Sequence, residues 1–235
     1  MRVAAIGRGG VLAAALALAA ACGGDDGAAP AAAPEPAALL QAAAARMREV
    51  QRFHFALEHD GGGTAIVRGI TMTSAEGDVD GPERLRIALK GSFASVNIDT
   101  AIIVLGDQAW IQNPITRRWE REDISIDDIF DPQRGVVALI AAAAARSPRI
   151  AATERIDGVE TYRVEATLDS GELGLLPGMP EPGRSVPAIA WIGVDDPVVR
   201  RIELRGGVAE GEPAGLVRRL TLSRFGESVT IEPPR

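Results

Sequence analysis

The residues able to do chemistry in this chain are few. Its two histidines, His54 and His59, sit five positions apart. Along a strand that interval puts them on opposite faces, a poor arrangement for gripping one metal ion. Cys22 is the single cysteine, so an intrachain disulfide is excluded and no second thiolate can help a metal site. Carboxylates cluster twice. Asp78-Val79-Asp80-Gly81 has the start of a calcium loop but lacks the third acidic position and the terminal glutamate, and reads as an ordinary turn. Asp123, Asp127, Asp128 and Asp131 form an acidic patch that suits the solvated start of a short helix, Ile124–Phe130, with Ser125 as its cap. Residue types alone leave a Ser-His-Asp triad open, but no Gly-x-Ser-x-Gly elbow, phosphate loop or dinucleotide fingerprint is present. These absences lead to the expectation of a protein with no catalytic residues, no metal and no cofactor, and thus not an enzyme.

The chemistry of Cys22 comes from what precedes it. Arg2 and Arg8 make a basic start, Val11–Ala21 is an unbroken apolar run, and the small residues Ala19, Ala20 and Ala21 lead directly into the cysteine. This is an export signal over residues 1–21, too short to span a membrane. The cysteine placed just after it resembles a bacterial lipoprotein box, in which the thiol takes a diacylglyceryl group and becomes the mature N-terminus; Ala19 stands where leucine is usual. Two acyl chains anchor stably where one does not. Residues 22–36 are Gly, Asp, Ala and Pro with little else, which cannot bury a face and reads as a disordered tether. The remaining chain, 37–235, is long enough for one domain with a sizeable core.

Of the 235 residues, 46% are hydrophobic and 24% charged, ordinary globular values. The formal net charge of −7 argues against nucleic acid, whose phosphates require a basic field.

Two stretches organise the domain. Ala94–Leu105 alternates from Val96, with Val96 and Ile98 on one face against Asn97 and Asp99, then turns apolar on both faces from Ala101. It is a strand whose second half needs cover on both sides. Val136–Ala145 can supply that cover: it is helix-forming, apolar all round, and mostly alanine. Such a helix predicts a buried position. With side chains so short, it either packs very close to a sheet or leaves room beneath.

Around these, Ala37–Val50 carries Leu39, Leu40, Ala43, Met47 and Val50 at helical spacing behind Pro36. Strands are expected at Gln51–His59, at Thr64–Val79 with a break near Gly69, and at Arg84–Leu89 and Gln108–Gln112. After the alanine-rich helix Gly135–Arg146, Asp157-Gly158 marks a hairpin between Ile150–Arg155 and Val159–Thr167. Ser170–Leu176 reads as a helical turn, and Gly178–Ser185 as loop. Val186–Val194, Val198–Arg205, Leu216–Phe225 and Ser228–Ile231 complete the strands. Turns every 8–12 residues or so fit an antiparallel sheet.

The order of these parts, lipobox, tether, helix, strand meander, alanine-rich helix and second meander, resembles the LppX/LprAFG lipoproteins of actinobacterial envelopes, most closely the LprG-type members. The stretches that carry the resemblance are Ile156–Val164, Val186-Pro187-Ala188-Ile189-Ala190-Trp191-Ile192, Leu222-Ser223-Arg224-Phe225 through Val229, Thr230 and Pro233, and Gly106–Asn113 with Trp119. The similarity covers about 37–235. It implies an α+β, mainly antiparallel β fold: a curved half-barrel of the LolA/LppX kind with helices across its concave face. It also implies an apolar cavity, for which Ile98, Ile102, Val104, Val137, Ile140, Ala141 and Ala144 are the candidate lining. Close packing of those residues as plain core is the competing reading from the residues alone.

The expected function is that of a membrane-anchored lipoprotein that binds acylated lipid or glycolipid and carries it through the envelope. Its partners would be that ligand, the membrane through Cys22, and an envelope transporter. It would sit on the outer face of the cytoplasmic membrane. The alternatives are a tethered structural or regulatory protein-binding module with a closed core, and a carrier of the LolA/LolB kind.

Overall fold

The computed structural model describes residues 33–66, 69–94, 96–123, 132–173 and 180–234. The signal segment, Cys22, most of the tether, the expected helix Ile124–Phe130, the end of the expected turn Ser170–Leu176 and the start of the expected loop Gly178–Ser185 lie outside them. From Pro34 onward the described chain is one compact unit.

Helix α1 (Pro36–Glu49) leads into β1 (Arg52–Asp60), the short β2 (Thr64–Ala65), β3 (Ile70–Asp80), β4 (Arg84–Phe93), β5 (Val96–Leu105), β6 (Gln108–Gln112) and β7 (Trp119–Glu122). Helix α2 (Pro132–Ala144) then crosses to β8 (Arg149–Ile156) and β9 (Val159–Asp169). A 3-10 turn (Ser170–Leu173), β10 (Ser185–Gly193), β11 (Val199–Arg205) and β12 (Val217–Ser223) follow. The strands form one antiparallel sheet in the order β7-β6-β5-β4-β3-β1-β12-β11-β10-β9-β8, with β2 beside β3. It is an open half-barrel with β7 and β8 at its edges. The two meanders join where β1 pairs with β12, Phe55 opposite Leu222 and Leu57 opposite Leu220.

Local chemistry sets the turns. Asp157 and Gly158 both have positive φ, 50° and 82°, and link Ile156 to its partner Val159, the two-residue turn whose twist matches a hairpin. Gly106, φ 61°, opens the equivalent turn between Leu105 and Gln108. The expected break in the third strand falls at Gly69, φ 73°. Inside β3, Gly77 lies opposite Phe55; a Cβ there would sit 2.1 Å from the Arg86 carbonyl oxygen and 2.9 Å from the Phe55 ring. The missing side chain leaves the room that the ring occupies.

Both helices cover the inner face. Leu39, Leu40, Ala43, Ala44 and Met47 of α1 are buried, as are Val136, Leu139, Ile140 and Ala143 of α2. The helices pack on each other, and α2 also touches β9. The ends of α1 are tied down: Glu35 caps its first turn by accepting from the Ala38 amide at 2.6 Å, and Arg46 donates to Asp196 in the β10–β11 turn at 2.8 and 3.2 Å.

Two expectations need correction. The alanine-rich helix is not buried all round: Ala141 and Ala145 are exposed. An apolar sequence imposed no apolar environment because a methyl side chain has little area to hide, and alanine stabilises a helix wherever it lies. Ser228–Ile231 is not a strand; it runs without strand pairing, held by the burial of Ile231 and by Arg84 Nη2 donating to the Ile231 carbonyl at 2.7 Å.

Candidate functional site

Between the two helices and strands β9, β10 and β11 lies an apolar cleft. Its floor includes Ala166 on β9, Ala188 and Ala190 on β10 and Ile202 on β11; its roof includes Leu40 of α1 and Ile140 of α2. Every lining side chain is hydrocarbon. The room comes from the alanines. Ala188 pairs with Ala166 on one side and Leu204 on the other, and Ala190 with Val164 and Ile202. Where larger side chains would reach the helices, methyl groups stop short. The unfilled space is about 320 Å³ with open solvent counted in, and only a small part of it is enclosed.

At the end of the sheet where β1 finishes and β12 begins, the inner face turns polar. Arg218 and Glu212 form an ion pair with side chains only 4% and 6% exposed. Arg218 also donates from Nε to Thr64 Oγ1 at 2.9 Å and from Nη1 to the Gly206 carbonyl at 3.2 Å. The second oxygen of Glu212 accepts from the amides of Val208 and Ala209 at 2.7 and 3.2 Å. His59 completes the group. Its Nδ1 lies 3.1 Å from the Thr73 carbonyl, which can only accept, so Nδ1 carries the proton and the neutral ring's Nε2 accepts from the Thr64 hydroxyl at 2.8 Å. Burial, with Arg218 nearby, pushes the His59 imidazole below its ordinary value. Burial pushes the Glu212 carboxyl up, but the Arg218 hydrogen bond and the two amides outweigh it and hold it below the usual carboxylate range. The cluster staples the 206–216 loop to the sheet; it presents no nucleophile or base to the cleft.

On the outer face, Glu203 sits between Arg205 at 2.7 Å and Arg219 at 3.0 Å, which hold it low against the opposing effect of burial. His54 is on this side, 2.9 Å from Asp78, so the two histidines do face apart. Among the described residues no group of three His, Cys, Asp or Glu side chains could hold a metal ion, and no helix is long and apolar enough to cross a membrane.

The structure brings together a different lining from that expected. Of the candidate residues only Ile140 borders the cleft. Ile102 and Val104 on β5 are buried in the common core opposite Ile87 and Leu85. Ile98 is half-buried opposite Gly91. Val137 and Ala144 pack at the margin of the core, and Ala141 faces outward. The floor residues Ala166, Ala188 and Ala190 are not among the expected lining. One signal was present: Ala188 and Ala190 alternate within a strand, where larger side chains are favoured.

An open antiparallel half-barrel with two helices laid over a hydrocarbon-lined cleft defines a class of protein built to shelter apolar material from water. The model of the LppX_LprAFG lipoprotein family matches residues 35–231, and this chain belongs to that family. No curated protein matches the sequence. Among solved structures, LprF from Mycobacterium bovis is similar at 18% identity and a TM-score of 0.67, covering 86% of this chain and 98% of that one. LppX from Mycobacterium tuberculosis is similar at 21% identity and a TM-score of 0.59, covering 83% and 97%. These likenesses establish the shared fold.

Proposed function

We propose that this protein is a lipid carrier: Cys22 is acylated after export and holds the domain on the outer face of the cytoplasmic membrane, and the cleft takes the acyl part of a lipid or glycolipid for passage through the envelope. The observation that carries this is the all-hydrocarbon lining of a cleft on the inner face of a lipoprotein-family half-barrel. Burying a methylene contributes about 0.8 kcal/mol, so ten carbons gain on the order of 8 kcal/mol gross. No hydrogen bond is required, which suits loose selectivity and eventual release.

The enclosed space is too small for a whole acyl chain with the helices in place. Loading therefore requires α1 and α2 to part from the strands. Ala143 of α2 and Ala166 and Ala188 of the floor line the cleft together, and side chains this small forfeit little dispersion energy on separation. Handover to an envelope transporter would use the same movement in reverse.

The closed-core reading, a tethered module that binds protein, is favoured by that same narrowness. Mass spectrometry of an organic extract of the purified protein decides between them. Stoichiometric acyl lipid supports the carrier; protein free of lipid after purification from its own membranes, and unable to take up a fluorescent fatty acid, overturns it.

A further inference from the structure

Among the described residues, the exposed large hydrophobic side chains are Phe93 (52%), Val96 (64%) and Ile115 (87%). They are not scattered. Phe93 and Val96 are register partners closing the β4–β5 hairpin. Ile115 caps the β6–β7 turn, which is fastened beside the first residues of β5 by Arg117 Nη1 donating to the Asp99 carbonyl at 2.9 Å. Both tips thus lie at one end of the sheet. Exposed apolar groups gathered on one projecting end mark an interaction surface.

Three further observations identify what it meets. First, the tips themselves, 92–98 and 113–118, contain no acidic residue, the nearest being Asp99 and Glu120 behind them, and Arg117 and Arg118 are exposed in the second. Secondly, the tether is short. From Pro34 to Cys22 is twelve residues, a reach of at most about 40 Å. Thirdly, the cleft lies toward this end: its floor residues Leu168 and Leu204 are the penultimate residues of β9 and β11, strands that finish there.

We propose that these two tips dock on an anionic lipid surface, with Phe93, Val96 and Ile115 entering the boundary between headgroups and acyl chains and Arg117 and Arg118 lying on the headgroups. A tether this short makes docking intramolecular, so a small patch suffices where free protein in solution would bind weakly. Docking turns the end of the domain nearest the cleft toward the membrane. The inference goes beyond the carrier reading and needs no lipid in the cleft.

The test uses the full chain purified from membranes and reconstituted in mixed phosphatidylcholine–phosphatidylglycerol vesicles. A fluorophore is placed by Ile115→Cys, and in a second protein by Asp107→Cys, in the turn at the far end of β5. Both sites are exposed, so both variants fold; the parent chain controls for label at Cys22, and free thiol there would count against the anchor alone. A headgroup-depth quencher should dim the label at 115 several-fold more than that at 107. The difference should shrink in pure phosphatidylcholine and in a chain also carrying Arg117→Glu and Arg118→Glu. Equal dimming at both positions, or stronger dimming at 107, overturns the docking surface; a preference indifferent to phosphatidylglycerol overturns the choice of an anionic surface. Lipid extraction from the same samples reads the carrier function separately.

Discussion

Ala166 and Ala188 face each other across β9 and β10 on the floor of the cleft, so that both partners under the helices are methyl groups. The pair is what keeps the helices from sealing onto the sheet. Ala188→Trp should fill the cleft and remove co-purifying lipid while leaving a folded protein, at an overpacking cost of about 1–3 kcal/mol. Ala141→Trp, on the exposed side of α2, should leave lipid content unchanged. Extracted acyl lipid per mole of protein, with circular dichroism as the folding control, reads both; retention of lipid in the first variant contradicts the assignment of the cleft.

Gly77 carries a packing constraint of another kind. A Cβ at this position meets a backbone oxygen at 2.1 Å, and a backbone atom cannot swing aside as a flexible side-chain end can. Gly77→Ala should destabilise the domain by about 3 kcal/mol, seen as a lower urea midpoint at unchanged slope. A shift within error of zero would mean that β3 and β4 are free to separate.

The Arg218–Glu212 pair should be costly to break. Glu212→Ala leaves a guanidinium buried without its carboxylate and two amides without their acceptor. The expected loss is about 3–5 kcal/mol, with increased proteolysis in the 206–216 loop. Replacing both partners by leucine and methionine should recover most of the stability.

Stability should depend on pH through His59. Its folded-state value is depressed below 6.5 by burial and Arg218, so the unfolded chain takes up the proton first. The contribution is fully present above pH 6.5 and is lost as pH falls from there through the folded value. Glu203 and Glu212 are also depressed; their contributions are present above about pH 4.5 and fade below it. The thermal midpoint should be level from pH 8 to 7 and then decline in two stages. His59→Gln should flatten the first stage only. An unchanged slope in that variant would show that the ring is already hydrated.

Cys22→Ala should abolish acylation and release the exported protein from membranes into the soluble fraction. Intact-mass measurement and fractionation report this together; membrane retention of the unacylated chain at high salt would show an anchor other than the cysteine.

Much of the architecture could be read directly. The strand expected within Ala94–Leu105 forms as β5, and Asp157-Gly158 occupies the turn its chemistry demands. These are local matters of backbone sterics and one face meeting water, and neighbours in sequence decide them. Ser228–Ile231 has strand-like composition, but strand formation needs a partner, and none lies alongside.

What the amino-acid order determined by itself was a short chemical inventory, the helix and strand segments, and a pattern shared with a lipoprotein family. What the tertiary structure alone decided was where the empty space lies. The expected lining followed β5 and α2 because they are the most apolar stretches, yet Ile102 and Val104 meet Ile87 and Leu85 and close up as core. The cleft opens instead over Ala166, Ala188 and Ala190, brought under the helices only when β12 pairs with β1. A cavity is an absence of atoms between segments distant in sequence, so hydrophobicity marks what can be buried, and only the pairing of strands settles which buried faces fail to touch.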